Sequence, residues 1–314
     1  MQFPSAAIDL GTNTARLLIG YVDGAGTILP VLQMRRITRL GGGFTREEGI
    51  SGEASARTVA ALRDFAAEMR RHHVARLRAV ATSAVRDAVN GKEFCDLILK
   101  ETGIELEIID GKTEGVLTLR GVLAGIDDKS GSFLVFDVGG GSTEYTLAAG
   151  DSVLFTASLP LGVVRLTEGK ITCAAMEEKI ARELRPLREK LQDKALLTYL
   201  DQATLVGTAG TATTLAAISR KMTHYDYRLV NNYVLGLDEI KTICATLLPM
   251  APTQRLQVPG LEEGREDLII AGMLITIKTK ELFGFTTLKV SDFGLLEGVL
   301  LESTTTKPLV LAGE

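Results

Sequence analysis

The sequence predicts an α/β protein built from two duplicated domains with a cleft between them. Three observations lead there. An apolar run ending in Asp-x-Gly occurs twice, at Asp9 and at Asp137, 128 residues apart. Strand and helix signals alternate through both halves, which implies sheets covered by helices. Between the halves lies Gly125–Gly131, a polar, turn-rich stretch suited to a boundary. At 314 residues, 46% hydrophobic, the chain has material for two cores. The expected domains are 1–125 and 126–302, with the last helix able to pack back on the first domain and 303–314 a tail.

Taken in order, Ala6–Leu10 is a strand, Gly11-Thr12-Asn13-Thr14 a tight turn, and Ala15–Val22 a returning strand. Ser51 caps a helix whose apolar positions Val59, Leu62, Phe65, Ala66 and Met69 recur at three and four residues. Leu77–Ala81 reads as a strand, Glu93–Lys100 as a helix, Glu105–Asp110 as a short strand and Glu114–Ala124 as a helix. The second copy opens with Leu134–Val138, the turn Gly139-Gly140-Gly141-Ser142-Thr143, and a returning run Glu144–Ala149. Val153–Leu161 is extended, Ala174–Leu191 is helical with a kink expected at Pro186, and Thr204–Gly207 is a strand. Thr208–Thr214 turns into a helix at Leu215–Ser219, and Glu266–Leu282 and Gly294–Glu302 form a helical end.

Charge and cysteine usage narrow the function classes. The net charge of −4 argues against nonspecific nucleic-acid binding. It is unevenly spread: residues 1–88 hold twelve arginines, no lysine and eight acids, a net of +4, which reads for any one arginine as a solvated, salt-screened face and functionally as a local field for a polyanion. Cys95, Cys173 and Cys244 lie far apart with no metal or disulfide spacing, and read as buried thiols in a reducing compartment. His72, His73 and His224 are too scattered for a histidine metal site. The start lacks a leader pattern, and nowhere do about 18 uncharged apolar residues run together, so the expectation is a cytoplasmic protein with no membrane partner.

Glycine turns let a phosphate approach the backbone closely, and turns that end at helix N-termini add a positive dipole end. Three turns qualify: Asp9–Thr14, Asp137–Thr143 and Gly207–Thr214, the last including Thr208, Gly210 and Thr211. Thr12, Thr14, Ser142 and Thr143 add hydroxyl donors. Asp9 and Asp137, at the heads of the hairpins, are candidates to hold Mg²⁺, which prefers oxygen ligands and one or two carboxylates. A carboxylate must also orient a water nucleophile and take its proton. Glu114 and Glu144 both stand after a strand and near a glycine, and the residues alone do not choose between them. Arg86 is a candidate phosphate ligand.

Six segments carry a resemblance: AIDLGTNTARLL from Ala7, ATSAVRDAVN from Ala81, FDVGGGSTE from Phe136, LPLGVVRLTE from Leu159, VGTAGTATTLAAI from Val206 and VSDFGLLEGVL from Val290. In this order they resemble the exopolyphosphatase and guanosine pentaphosphate phosphohydrolase family, within the superfamily of actin, sugar kinases and heat-shock ATPases. The resemblance implies two ribonuclease-H-like domains with the active site in the cleft, a homodimer, and hydrolysis of a terminal phosphate. It assigns the catalytic base to Glu114, in Ile109–Gly115. It also carries the phosphate and Mg²⁺ loop onto Asp137, Gly139, Gly140, Gly141, Ser142, Thr143 and Glu144, and arginines near the phosphates onto Arg86 and Arg265. Thr113 and Gly115 depart from the family's acidic and alanine neighbours, and nothing corresponds to the extra helical domain of long members.

The expected reaction is in-line attack of water on the terminal phosphoryl group of inorganic polyphosphate, assisted by Mg²⁺ or Mn²⁺. Guanosine pentaphosphate is the alternative substrate, but aromatics are only 5% of the chain and tryptophan is absent, which leaves little to stack a guanine. An ATP-dependent sugar kinase would need a sugar-binding insertion that the sequence lacks. A polyphosphate or alarmone sensor without catalysis is the reading of another class.

Overall fold

The computed structural model describes residues 4–43, 48–169 and 172–303. The chain divides into two compact units, one of residues 1–124 and 295–314, the other of residues 125–294. In the first, β1 (Ser5–Leu10), β2 (Thr14–Val22) and β3 (Ile28–Ile37) precede α1 (Gly52–Arg71), β4 (Arg76–Ala81), α2 (Ser83–Arg86), α3 (Gly91–Thr102), β5 (Glu107–Ile108) and α4 (Gly111–Gly125). The sheet order is β3-β2-β1-β4-β5, antiparallel among the first three strands and parallel from β1 to β5.

The second unit repeats this plan with β6 (Ser132–Val138), β7 (Thr143–Ala149), β8 (Ser152–Leu159), α5 (Val163–Glu168), α6 (Cys173–Asp193), α7 (Leu197–Asp201), β9 (Ala203–Thr208), α8 (Ala209–Ser219), α9 (Tyr227–Val230), β10 (Val234–Gly236), α10 (Leu237–Leu247), α11 (Pro252–Arg255), α12 (Ile269–Phe283) and β11 (Thr287–Val290). Its order, β8-β7-β6-β9-β11, matches the first sheet strand for strand, and β10 adds an antiparallel edge. The 3-2-1-4-5 order with an antiparallel second strand is what the ribonuclease-H resemblance implies, and the chain is α/β with two mixed sheets.

Local chemistry accounts for the elements that frame the site. β1 and β6 are buried along their whole length, as strands with covered neighbours on both sides should be. In α1 the Ser51 side chain accepts from Ala54 N, and Val59, Leu62, Phe65, Ala66 and Met69 form the buried stripe. α4 begins three residues before its expected start because the Asp110 carboxylate accepts from Thr113 N at 2.7 Å and satisfies an otherwise orphaned first-turn amide. That bond holds the Asp110 carboxyl below its ordinary value. The expected strand 105–110 shrinks to two residues paired with Val80 and Ala81. Each unit has its own apolar core, around Ile8, Leu17, Leu62 and Phe65 in the first and Phe136, Tyr145, Leu215 and Leu274 in the second.

The last described helix, α13 (Leu295–Ser303), belongs to the first unit. Its Gly298 lies so close to α4 that a Cβ would stand 1.9 Å from the Leu117 carbonyl oxygen. Glu302 on α13 forms ion pairs with Arg78 and Arg120. Of the expected tail, 304–314 lies outside the described residues. The cysteines are all free, but only Cys244 is buried; Cys95 and Cys173 are half-buried, packed against the edges of the two apolar cores. Among the described residues no helix is long and apolar enough to cross a membrane.

Candidate active site

The two Asp-x-Gly hairpins are built to the same register. Leu10 pairs with Ala15 and Val138 with Thr143, so each loop has four residues, and each is closed by the glycine amide: Gly11 N donates to Thr14 O at 2.9 Å, Gly139 N to Ser142 O at 3.0 Å. These two turns join strand to strand. The expectation that all three glycine turns end at helix N-termini is therefore corrected: only the third, entering α8 at Ala209, does so. In the hairpins a phosphate would meet loop amides and hydroxyls with no helix dipole behind them.

Residues directly opposite in register share a face of the sheet, and here the two units diverge. The row across β1, β2 and β3 is Asp9, Arg16 and Arg35, whereas the row across β6, β7 and β8 is Asp137, Glu144 and Ser158. Asp9 is buried, and Arg16 Nε and Nη2 donate to its Oδ2 at 3.0 and 2.6 Å. Asp137 and Glu144 are also buried, and Ser158 Oγ donates to Glu144 Oε1 at 2.7 Å. The same scaffold thus presents one acid with two arginines in the first unit and two acids in the second.

For a divalent cation, the donor set is oxygen throughout, the kind that suits Mg²⁺ or Mn²⁺. Among the described residues no group of three or more His, Cys, Asp or Glu side chains gathers as a metal cluster. A pair of carboxylates completed by waters is what Mg²⁺ commonly takes, and the facing Asp137 and Glu144 fit that description. At the tip of the first loop, Asn13 Oδ1 is buried with no hydrogen-bond partner among the described residues, an acceptor left for a donor such as an ordered water.

Glu114 sits in the first turn of α4, buried to 6% exposure. Arg86, at the end of α2, donates through Nη1 to Glu114 Oε2 at 3.2 Å and to Ile109 O at 3.0 Å. The structure thus joins two residues that the sequence offered separately as base and phosphate ligand. The α2 helix is tied to the first loop by the buried pair Thr12 Oγ1 and Ser83 Oγ, 2.9 Å apart. Glu144, the other candidate base, lies on the β7 strand against Ser158.

The hydroxyl candidates are only partly free for a ligand. Thr143 Oγ1 donates to Leu161 O, and Thr208 Oγ1 to Phe293 O at 2.9 Å. Thr211 packs against Gly272, where a Cβ would meet its Oγ1 at 2.4 Å. Gly207 is a packing position, with Phe136, Ala212 and Leu288 side chains about it. Thr208 and Thr211 turn inward where α8, buried on nearly every side, begins, so the third turn offers a ligand its backbone amides and Gly210. Gly210 does meet Arg265: a Cβ there would lie 1.4 Å from Nη1, and Arg265 Nε also donates to Glu262 at 3.1 Å. Gly140, Gly141, Ser142 and Thr14 remain on the two hairpin loops.

Sequence reasoning missed Arg16, Ser158 and Ser83. Counting equal steps from Asp9 and Asp137 through loops of equal length would have found the first and placed it opposite its aspartate.

The fold is shared with known proteins. Over 313 residues the chain is 36% identical to Exopolyphosphatase 2 of Mycobacterium tuberculosis, covering 94% of this chain and 97% of that one. It superposes on the crystal structure of the Aquifex aeolicus Ppx/GppA family member with a TM-score of 0.79 at 31% identity, covering 97% and 98% of the two chains. On an exopolyphosphatase from Cytophaga hutchinsonii the TM-score is 0.86 at 27% identity, with 95% and 98% covered. The model of the Ppx/GppA phosphatase family matches residues 21–307, and the chain belongs to that family.

Proposed function

We propose that this chain is an exopolyphosphatase that releases the terminal phosphate of inorganic polyphosphate, with Glu114 as general base. The observation that carries the reading is the buried Glu114 held by the Arg86 guanidinium at 3.2 Å. It pairs a proton acceptor with a cation that a phosphate can share. Glu114 orients a water and takes its proton as the water oxygen bonds to the terminal phosphorus; the bridging P–O bond breaks, and the chain leaves one phosphate shorter. In the first unit Arg86 and the amides of loop 11–14 are the donors for charge on phosphate oxygens, and in the second the amides of loop 139–142 are of the same kind. A divalent cation, Mg²⁺ or Mn²⁺, held by Asp137 and Glu144 with Asp9 as a further candidate, would neutralise phosphate charge when bound.

Guanosine pentaphosphate is the less favoured substrate, since the relative at 36% identity is named for polyphosphate. The Asp9, Arg16 and Arg35 row supports a linear polyanion, because it adds positive charge without a surface for a base. The reading extends to a homodimer in the cytoplasm, which sedimentation of the full chain and cell fractionation test.

The deciding experiment is Mg²⁺-dependent phosphate release from short polyphosphate, long polyphosphate and guanosine pentaphosphate by wild type and Glu114→Gln. Release from polyphosphate that the variant abolishes while still binding substrate supports both substrate and base. Undiminished release by the variant removes Glu114 from the mechanism, and no release from any substrate favours a sensor.

A further inference from the structure

The segment that leaves the third strand of each sheet returns to press on the hairpin loop. In the second unit, Val163 N donates to Gly139 O at 3.0 Å, Val164 N to Gly140 O at 2.9 Å and Arg165 N to Gly140 O at 3.3 Å. Gly162 touches the same loop so closely that a Cβ would stand 2.2 Å from Gly140 O and 2.4 Å from the carbonyl carbons of Gly140 and Gly141. Thr143 Oγ1 reaches across to Leu161 O and closes the contact from the loop side.

The first unit repeats the device with a different sequence. After β3, Gly41 N donates to Thr12 O at 2.9 Å, and Thr38 N and Arg39 N to Asn13 O at 3.1 and 2.9 Å. A Cβ on Gly41 would stand 2.3 Å from Thr12 Cγ2. By hairpin register Thr12 corresponds to Gly140, so a glycine presses on the equivalent loop residue in both units.

These bonds have a directional consequence. Among the described residues no peptide is cis, and in a trans peptide the C=O of one residue and the N–H of the next point opposite ways. With the Gly139 and Gly140 carbonyls drawn to α5, the N–H groups of Gly140 and Gly141 face away from it. In the first loop the same argument turns out the N–H groups of Asn13 and Thr14. The peptide shared by both sets is the one before Gly141 and before Asn13.

We infer that Gly162 and Val163 are positioning residues for phosphate binding, fixing the 139–142 loop carbonyls inward so that the Gly140 and Gly141 amides face the substrate, with Gly41 as the counterpart in the first unit. This rests on the reading of that loop as a phosphate site. Leu159–Glu168, conspicuous in the sequence but without a role there, acquires one as a brace that never touches substrate.

The test compares KM and kcat for short polyphosphate in four variants of the full chain. Val163→Pro removes the donor and sets its ring against Gly139 O. Proline is suited to the first helical position, and Gly162, at φ −128° and ψ 155°, already has the extended conformation required before it. Val163→Ala keeps the amide and removes only the side chain. Gly162→Ala pushes on Gly140 directly, and Gly141→Ala alters the loop itself. The expected result is a KM about tenfold higher in Val163→Pro and in Gly162→Ala than in Val163→Ala, with kcat changed much less, since charge-assisted amide bonds of this kind are worth about that factor. If Val163→Pro fails to fold, Gly162→Ala carries the same decision. A raised KM in Gly141→Ala alone overturns the brace and leaves the phosphate loop standing. Unchanged KM in all four overturns both, and a fall in kcat at constant KM overturns the assignment to phosphate binding.

Discussion

Asp137 and Glu144 face each other across β6 and β7 at the positions where Asp9 and Arg16 face each other across β1 and β2. In the second unit an acid faces an acid, an arrangement that favours a cation, whereas the residue facing Asp9 is itself a cation, Arg16, at 2.6 Å. The two aspartates are therefore unequal as metal ligands. Asp137→Asn or Glu144→Gln is expected to raise the Mg²⁺ concentration for half-maximal phosphate release by about tenfold or more, the loss typical of a disturbed ligand or its support. Asp9→Asn is expected to shift it less. A larger Mg²⁺ shift in Asp9→Asn would put the cation at the first hairpin instead.

Arg86 gives a second prediction, because it holds the proposed base and has a charge that a phosphate could share. Its Nη1 bonds Glu114 Oε2 and Ile109 O together, so Arg86→Ala loses a cation and leaves a buried carboxylate less constrained. Removing a preorganised donor of this type costs on the order of 10²-fold in kcat. Arg86→Lys keeps the charge without the planar fork and is expected to recover only part of that loss. Steady-state kinetics on short polyphosphate check both, and wild-type kcat in Arg86→Ala would leave this arginine a purely structural role.

How much of this was legible in sequence depends on whether contacts were local. The hairpins were readable because Asp9 to Arg16 and Asp137 to Glu144 are short spans whose strand period and loop length fix the register. The third turn was less legible because its hydroxyls answer to distant partners: Thr208 bonds Phe293 O, 85 residues on, and Thr211 packs on Gly272. An all-round buried helix such as α8 has no amphipathic period to say which way a side chain turns. Glu114 as base came from the family resemblance, while its bond to Arg86 spans 28 residues and two elements. The brace was invisible because backbone amides leave no side-chain pattern.

The placement of α13 yields a stability prediction. Gly298 lets the helix approach α4 until a Cβ would stand 1.9 Å from Leu117 O, a backbone atom that cannot swing aside. Gly298→Ala is therefore an overpacking change, expected to cost about 2–3 kcal/mol in urea unfolding. Gly284→Ala is the comparison: nothing lies within 4 Å of its Cβ position, but φ is +78° at the end of α12, so only backbone strain of about 1 kcal/mol is expected. Equal costs at the two sites would mean that α13 has room to move off α4.

Lys280 supplies a pH-dependent prediction with a definite sign. Its side chain is fully buried on α12, donating to Leu235 O at 3.1 Å, and burial pushes the ammonium down to about 8 despite the opposing pull of Asp238 and Glu239. The unfolded lysine keeps its proton up to about 10.4. Between those values the unfolded chain binds the extra proton, so this group makes stability rise with pH from about 8 towards 10.4, and contributes nothing further above that. Below 8 the folded protein carries a desolvated charge. Lys280→Met lacks the titration, so the stability of wild type relative to the variant is expected to climb across that window by on the order of 2–3 kcal/mol. Urea unfolding of both proteins at pH 7, 8, 9 and 10 measures it, and a constant difference across the series would mean that Lys280 has an ordinary proton affinity in the fold.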